Sequence, residues 1–226
     1  MRRRRPVIGL LGGSFNPAHE AHRRITLFAL LALGLDEVWW LVSPGNPLKP
    51  AKGMAPLQAR FGSACEMARR APIRVTAIER ELGTVYTVDT LRALKRLFPR
   101  RRFVWLMGAD NLAQFHLWKN WRQIAGEMPI AVIARPGYDG AALASPAMAW
   151  LRRYRLAAAR MKNRDEWSAP ALIELRFDPD SRSATDVRRV DPDWASRFAG
   201  PSPRDGVTHS FIHDPAHEDR HGEAGA

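Results

Sequence analysis

Cysteine and lysine are both scarce in this 226-residue chain. A single cysteine, Cys65, excludes a disulfide framework and a cysteine-based zinc cluster. Only five of the 35 basic residues are lysine (Lys49, Lys52, Lys95, Lys119 and Lys162), so arginine carries nearly all of the positive charge. Long apolar runs are missing as well. The longest, residues 27–33, falls far short of the ~20 residues that a membrane-spanning helix needs. Arg2 to Arg5 followed by the apolar stretch 7–11 imitates a signal peptide, but that stretch is too short and runs straight into Gly12-Gly13. A cytoplasmic location is expected. What is present is ordinary for a globular protein: 46% hydrophobic and 26% charged residues, at a length suited to one large domain with attachments. The net charge of +12 would suit a nucleic-acid or anion binder. Heavy arginine and alanine use runs through the whole chain, however, as compositional drift would produce.

Periodicity divides the chain into alternating strands and helices. The run 7–11, bounded by Pro6 and Gly12, reads as a buried strand. A glycine-rich turn over 12–17 leads into a helix over about 19–33 that stops at Gly34. Further strands are expected at 37–42, 73–77, 102–107, 130–134 and 172–177, with helices at 56–70, 87–98 and 118–125. This alternation argues for βαβ units and a doubly wound α/β fold, with its ligand at the carboxyl ends of the strands. Residues 141–161 read as one further helix, with Trp150, Leu151 and Tyr154 on one side, and 181–189 as another. The expected organisation is a disordered basic end over 1–6, one domain over 7–198 and a disordered tail over 199–226. That tail is rich in Pro, Gly, His and acid, without apolar periodicity. His209, His213, His217 and His221 recur there every four residues, but Pro215 interrupts the helix they would need, and no metal site is expected.

Two segments carry chemistry. Gly12-Gly13-Ser14-Phe15-Asn16-Pro17 is followed by His19 and His22. Glycine lets the backbone approach a phosphate, and a helix starting near His19 aims free N–H groups and a positive dipole end at an anion. Three residues apart, the two histidines share one helix face. A zinc site would need a third ligand, and a core role would need partners for both rings. The favoured reading is a pair of N–H donors facing transferred phosphate oxygens. The turn is neither a GxGxxG fingerprint nor a Walker A loop. The second segment is Ser183-Ala184-Thr185-Asp186-Val187-Arg188. It places two hydroxyls and a guanidinium near a helix start, with Arg188 free to grip a phosphate by two parallel hydrogen bonds. Ser183 with Asp186 three residues on also reads as close to a capping box, and both roles are compatible.

Together these segments resemble the nucleotidyltransferase superfamily, with its H/T-x-G-H and I-S-x-T-x-I/V-R motifs. More narrowly, the chain resembles the nicotinate-nucleotide adenylyltransferase family. That likeness rests on Pro47-Leu48-Lys49-Pro50, on Tyr86-Thr87-Val88-Asp89-Thr90-Leu91, and on Gly108-Ala109-Asp110-Asn111 with Trp118 eight residues after the aspartate. Arg135-Pro136-Gly137-Tyr138 completes it, in colinear order over about residues 7–198. Ala21 stands where the motif has glycine, and Arg182 replaces the usual apolar residue before Ser183.

The resemblance implies a Rossmann-like parallel sheet with helices on both faces and a small helical part at the C-terminal end. It implies in-line attack of the nicotinate mononucleotide phosphate on the α-phosphate of ATP, with pyrophosphate leaving and Mg²⁺ arriving with ATP. His19 and His22 are then the catalytic pair. Gly12, Gly13, Ser14, Phe15, Lys49, Gly108, Ser183, Thr185 and Arg188 would hold ATP and its phosphates. Thr87, Asp110, Trp118 and Arg135 would hold the nicotinate nucleotide: Trp118 the pyridine face, Thr87 its carboxylate, Asp110 the ribose. The alternative keeps the fold and changes the acceptor, to phosphopantetheine for instance, or makes the reaction cytidylyl transfer. A basic nucleic-acid-binding protein ranks well below, because no stripe of interleaved aromatic and basic residues is present. Nothing in the sequence signals an oligomeric state.

Overall fold

Alternating side chains sort the strands between two cores, one on each face of a sheet. The computed structural model describes residues 4–45, 53–134, 139–163, 167–177 and 183–212. Strand β1 (Val7–Gly13) sends Ile8 and Leu10 to one core and Val7 and Leu11 to the other. Helix α1 (Glu20–Leu33) ends where Gly34, at φ 64°, adopts the left-handed conformation and donates its N–H to Leu30. Strand β2 (Glu37–Val42) repeats the split, with Trp39 in the first core and Trp40 in the second. Helix α2 (Leu57–Ala68), strand β3 (Ile73–Thr76), a single turn of helix α3 (Ile78–Glu81) and helix α4 (Thr87–Leu97) follow. Strand β4 (Arg102–Gly108) runs into α5 (Ala109–Gln114), and then come α6 (Trp121–Glu127) and β5 (Ile130–Ala134).

All strand pairs are parallel, in the order β3-β2-β1-β4-β5-β6, where β6 spans Leu172–Arg176. The chain winds outward from β1 to β3 and then returns to lay β4 on the other side of β1. That reversal opens a crevice between the carboxyl ends of β1 and β4. Leu11 lies opposite Leu106, so Gly13 and Gly108 end side by side at its floor. The doubly wound, Rossmann-like α/β fold expected from the sequence is the fold observed.

Two expectations need correction. The single helix over 141–161 is broken into α7 (Asp139–Leu143), α8 (Pro146–Leu151) and α9 (Ala158–Met161). The Ser145 hydroxyl accepts the Met148 N–H, and Pro146 takes the first helical position, where no N–H is needed. Arg155 then leaves the helical path and bridges to Leu172 beside β6. After α10 (Ala184–Val190), the chain expected to be a disordered tail instead docks as far as it is described. Its helix α11 (Gly206–Ile212) drives Val207, fully buried, into the first core. One oxygen of Asp205 accepts the N–H groups of Val207 and Thr208, capping α11. The other accepts the Thr76 hydroxyl and the Ala77 N–H, both at 2.9 Å, which pins the helix to the end of β3. Val207 and the clamped Asp205 carboxylate tie this segment down, and neither leaves a periodic pattern. His213, His217 and His221 lie outside the described residues. No helix among the described residues is long and apolar enough to cross a membrane.

Candidate active site

The carboxyl ends of β1 and β4 open into a cavity of about 340 Å³. Gly12, Gly13 and Ser14 line one wall. A Cβ on Gly12 would lie 2.7 Å from the Trp105 indole, so only glycine lets that ring pack across β1. Phe15 turns at φ 46° and buries its ring, which stacks on Trp40 with centroids 5.0 Å apart. Phe15 lines the cavity, and its stacked ring anchors the turn.

His19 caps α1, and its ring lies 3.9 Å from that of His22, centroid to centroid. The His19 backbone N–H donates to Nδ1 of His22 at 3.2 Å. An accepting Nδ1 assigns the proton of the neutral His22 ring to Nε2, which makes Nε2–H a donor. Both rings line the cavity, as their spacing led us to expect.

The opposite wall belongs to Trp118, Thr87 and Asp110. Trp118 meets Trp105 and Phe115 edge to face, at 6.2 and 5.4 Å between centroids, so its plane is fixed from two sides. Thr87 is the first residue of α4, where the opening amides have no helical acceptor. At the mouth, Lys119 sits 4.3 Å over the Tyr86 ring and 3.2 Å from Asp89, joining the rim of α4 to the loop after Trp118. Two polar atoms of this wall, Oδ1 of Asp110 and Nε1 of Trp105, are buried without a hydrogen-bond partner among the described residues. Such groups await a polar ligand or water.

Ser183 closes the third side. It forms the expected capping box: its Oγ accepts the Asp186 N–H at 3.2 Å, and its own N–H donates to Asp186 at 3.1 Å. Its hydroxyl and backbone N–H hold the Asp186 carboxyl below the usual carboxylate range. Arg188 has a further role within the protein. Its guanidinium donates one bond to the Asn16 carbonyl oxygen and one to the Thr185 hydroxyl, so part of its donor set is already engaged within the protein. Asn16 is largely buried, its carbonyl needs a donor, and Arg188 supplies it. Neither Thr185 nor Arg188 is among the residues lining the cavity. Gly108 lines it, while Lys49 and Arg135 lie outside the described residues.

Sequence reasoning missed two charged groups here. Arg60 of α2 is 1% exposed. Its Nε donates to Ala55, Nη1 to Ser14 and Ser43, and Nη2 to Pro44, all carbonyl oxygens, at 2.9, 2.8, 2.7 and 3.3 Å. Burial lowers its pKa from the ordinary arginine value. Glu79 of α3 lines the cavity, and burial pushes its carboxyl above the usual range, partly offset by the hydroxyls of Ser43 and Thr90. Arg60 looked like any other arginine of this arginine-rich chain, and Glu79 sits in an element too short to show periodicity.

Comparison with known proteins gives concordant results. The cytidylyltransferase-like family model matches residues 10–190. The chain is 71% identical over 204 residues to a probable nicotinate-nucleotide adenylyltransferase of Erythrobacter litoralis (strain HTCC2594), covering 90% of this chain and 93% of that protein. It is 50% identical over 189 residues to a protein of the same name from Bradyrhizobium sp. (strain ORS 278), covering 84% and 98%. Its fold is similar to that of Plasmodium falciparum nicotinic acid mononucleotide adenylyltransferase complexed with NaAD. The TM-score is 0.61 at 16% identity, over 92% of this chain and 94% of that one.

Proposed function

The chain belongs to the nicotinate-nucleotide adenylyltransferase family, within the cytidylyltransferase-like group, and on that footing we propose how its cavity works. It transfers AMP from ATP to nicotinate mononucleotide, giving nicotinic acid adenine dinucleotide and pyrophosphate. The observation that supports this most directly is convergence: Gly12 to Phe15, the histidine pair, Trp118 and Ser183 all border one cavity at the switch point of the sheet. We place the reaction in the cytoplasm.

In this reading the turn at Gly12 to Ser14 and the start of α1 receive the phosphates of ATP. The acceptor phosphate oxygen attacks the α-phosphorus in line, and the bond to pyrophosphate breaks as the new P–O bond forms. Nε2–H of His22 donates to an oxygen whose charge grows during transfer, and His19 packs against it on the same face. Trp118 supplies a flat surface for the pyridine ring. The first amides of α4, with Thr87, receive its carboxylate, and the buried Oδ1 of Asp110 accepts a ribose hydroxyl. Gly108 leaves room for adenosine. Among the described residues, no three His, Cys, Asp or Glu side chains gather into a metal site. Of the cavity's lining residues, only Asp110 and Glu79 carry carboxyl groups, a set that fits Mg²⁺ carried in on nucleotide phosphates. When bound, Mg²⁺ neutralises phosphate charge.

The test is pyrophosphate release with ATP and a panel of acceptors. Nicotinate mononucleotide is expected to be the preferred one. Preferential turnover of phosphopantetheine, or of CTP in place of ATP, would reassign the acceptor or nucleotide while keeping the fold.

A further inference from the structure

Helix α2 lies behind the glycine turn, and one of its side chains reaches both loops that end at the cavity. Arg60 spans from Ser14, in the turn after β1, to Ser43 and Pro44, in the turn after β2. It also holds Ala55 at the approach to its own helix. All four acceptors are neutral carbonyls. Among the described residues no carboxylate pairs with it, whereas Arg74, Arg92, Arg101 and Arg155 each have one. A buried cation without a counter-ion is costly, and an apolar side chain of similar volume would relieve that cost. Ser14 and Ser43 both line the cavity, so the guanidinium stands one backbone unit behind the surface assigned to phosphates.

We propose that Arg60 supplies a buried positive charge behind the nucleotide phosphates, held in place by the two turns it binds, and that this charge finds its counter-charge in the bound polyphosphate. This rests on the reading of the cavity as an ATP site. The carbonyls of Ser14 and Ser43 point back at the guanidinium, which leaves the other side of each turn to face the ligand. A charge held away from water is screened far less than the exposed arginines that dominate the net charge.

The experiment compares Arg60→Lys with two neutral variants, Arg60→Gln and Arg60→Met. Inorganic pyrophosphate is the binding probe, titrated calorimetrically, alongside melting temperature and KM for each substrate. The neutral variants should weaken pyrophosphate binding and raise the KM for ATP by about tenfold or more, with the KM for nicotinate mononucleotide changed by less than about threefold. Arg60→Lys keeps the charge but cannot span four carbonyls. It should melt lower than wild type yet hold pyrophosphate within about threefold of it. A purely structural role would lower the melting temperature of all three variants and leave pyrophosphate affinity of the folded protein unchanged. That result overturns the proposal, as does an equal loss of affinity in the lysine and neutral variants. If neither neutral variant folds, the pH dependence of Arg60→Lys decides: its pyrophosphate affinity relative to wild type should fall as the lysine deprotonates toward about pH 10, and a ratio that stays flat overturns the proposal. A wild-type protein that binds neither ATP nor pyrophosphate overturns the functional reading and this inference together. Wild-type binding with an unaffected neutral variant overturns only the inference.

Discussion

Arg188 donates a hydrogen bond to the carbonyl oxygen of Asn16, 172 residues earlier in the chain. Asn16 is itself fixed from both ends of its side chain, donating to Gly53 at 2.9 Å and accepting from Ala55 at 3.1 Å. The guanidinium also reaches the Thr185 hydroxyl at 3.1 Å. The glycine turn and the start of α10 are therefore one mechanical unit, although each reads as a separate anion site in the sequence.

Arg188→Ala is expected to lower kcat/KM for ATP by at least ~10-fold, because the turn and α10 lose their common brace. The lost charge-assisted bond should cost about 1 kcal/mol of stability, discounted because the side chain is part-exposed. Arg188→Lys should recover little, since one ammonium cannot serve two acceptors in the fork geometry. Steady-state kinetics with a melting curve for each variant check this. A lysine variant with wild-type kinetics would show that charge alone matters there.

His22→Ala should reduce kcat by ~100-fold or more while the fold persists. The bond from the His19 N–H to Nδ1 fixes where the donor hydrogen of His22 lies. A folded variant with near-normal kcat would remove His22 from the chemistry.

Trp118→Ala should raise the KM for nicotinate mononucleotide far more than that for ATP, because stacking is lost on one side only. The first amides of α4 are donors, and the amide group of nicotinamide mononucleotide would turn its own N–H₂ toward some of them. Each buried polar group left unpaired costs ~1–3 kcal/mol. The nicotinate nucleotide should therefore be preferred by at least ~10-fold in kcat/KM. Equal use of both nucleotides would remove the carboxylate from the argument.

Glu79 makes a prediction about pH. Burial raises its folded-state pKa above the ordinary 4.5, so the folded protein binds that proton more tightly than the unfolded chain. The stabilisation is fully present below the unfolded value and is lost as pH rises through the folded one. Glu79→Gln keeps an acceptor for Thr90 but cannot ionise. Its melting temperature relative to wild type should therefore climb between about pH 4 and pH 8. A difference that stays flat over that range would mean the carboxyl is well solvated.

Asp205→Ala should destabilise the protein by about 1–3 kcal/mol, since it strips acceptors from Thr76, Ala77 and the first turn of α11. Truncation before Gly200 should lower the melting temperature by several degrees, because it also removes the buried Val207. An unchanged melting temperature in both would mean that α11 is dispensable.

The central sheet was readable in the sequence because each buried parallel strand is a short apolar run bracketed by breakers. Residues 37–42 and 130–134 coincide with β2 and β5 as observed. The stretch 141–161 reads as one helix by hydropathy, but Ser145-Pro146 within it is a breaker that starts a new helix. In the site, residues that stand on motif spacing (Gly12, His19, His22, Trp118, Ser183) converge on one cavity. What stayed hidden are partners set by tertiary contact. Arg188 answers to Asn16, Arg60 to two turns of other elements, and Asp205 to the end of β3. No local window contains both ends of any of these bonds.

The strand order has a consequence for the chain as it is synthesised. The first three strands complete only half the sheet, and β1, which becomes its centre, keeps one edge open until Arg102 and Phe103 arrive to pair with Val7 and Ile8. A nascent or cleaved chain ending before that point would present an apolar parallel edge with unpaired backbone groups. Such an edge invites another copy to complete it, so stalled synthesis ahead of β4 is the stage at which this protein is most exposed to aggregation.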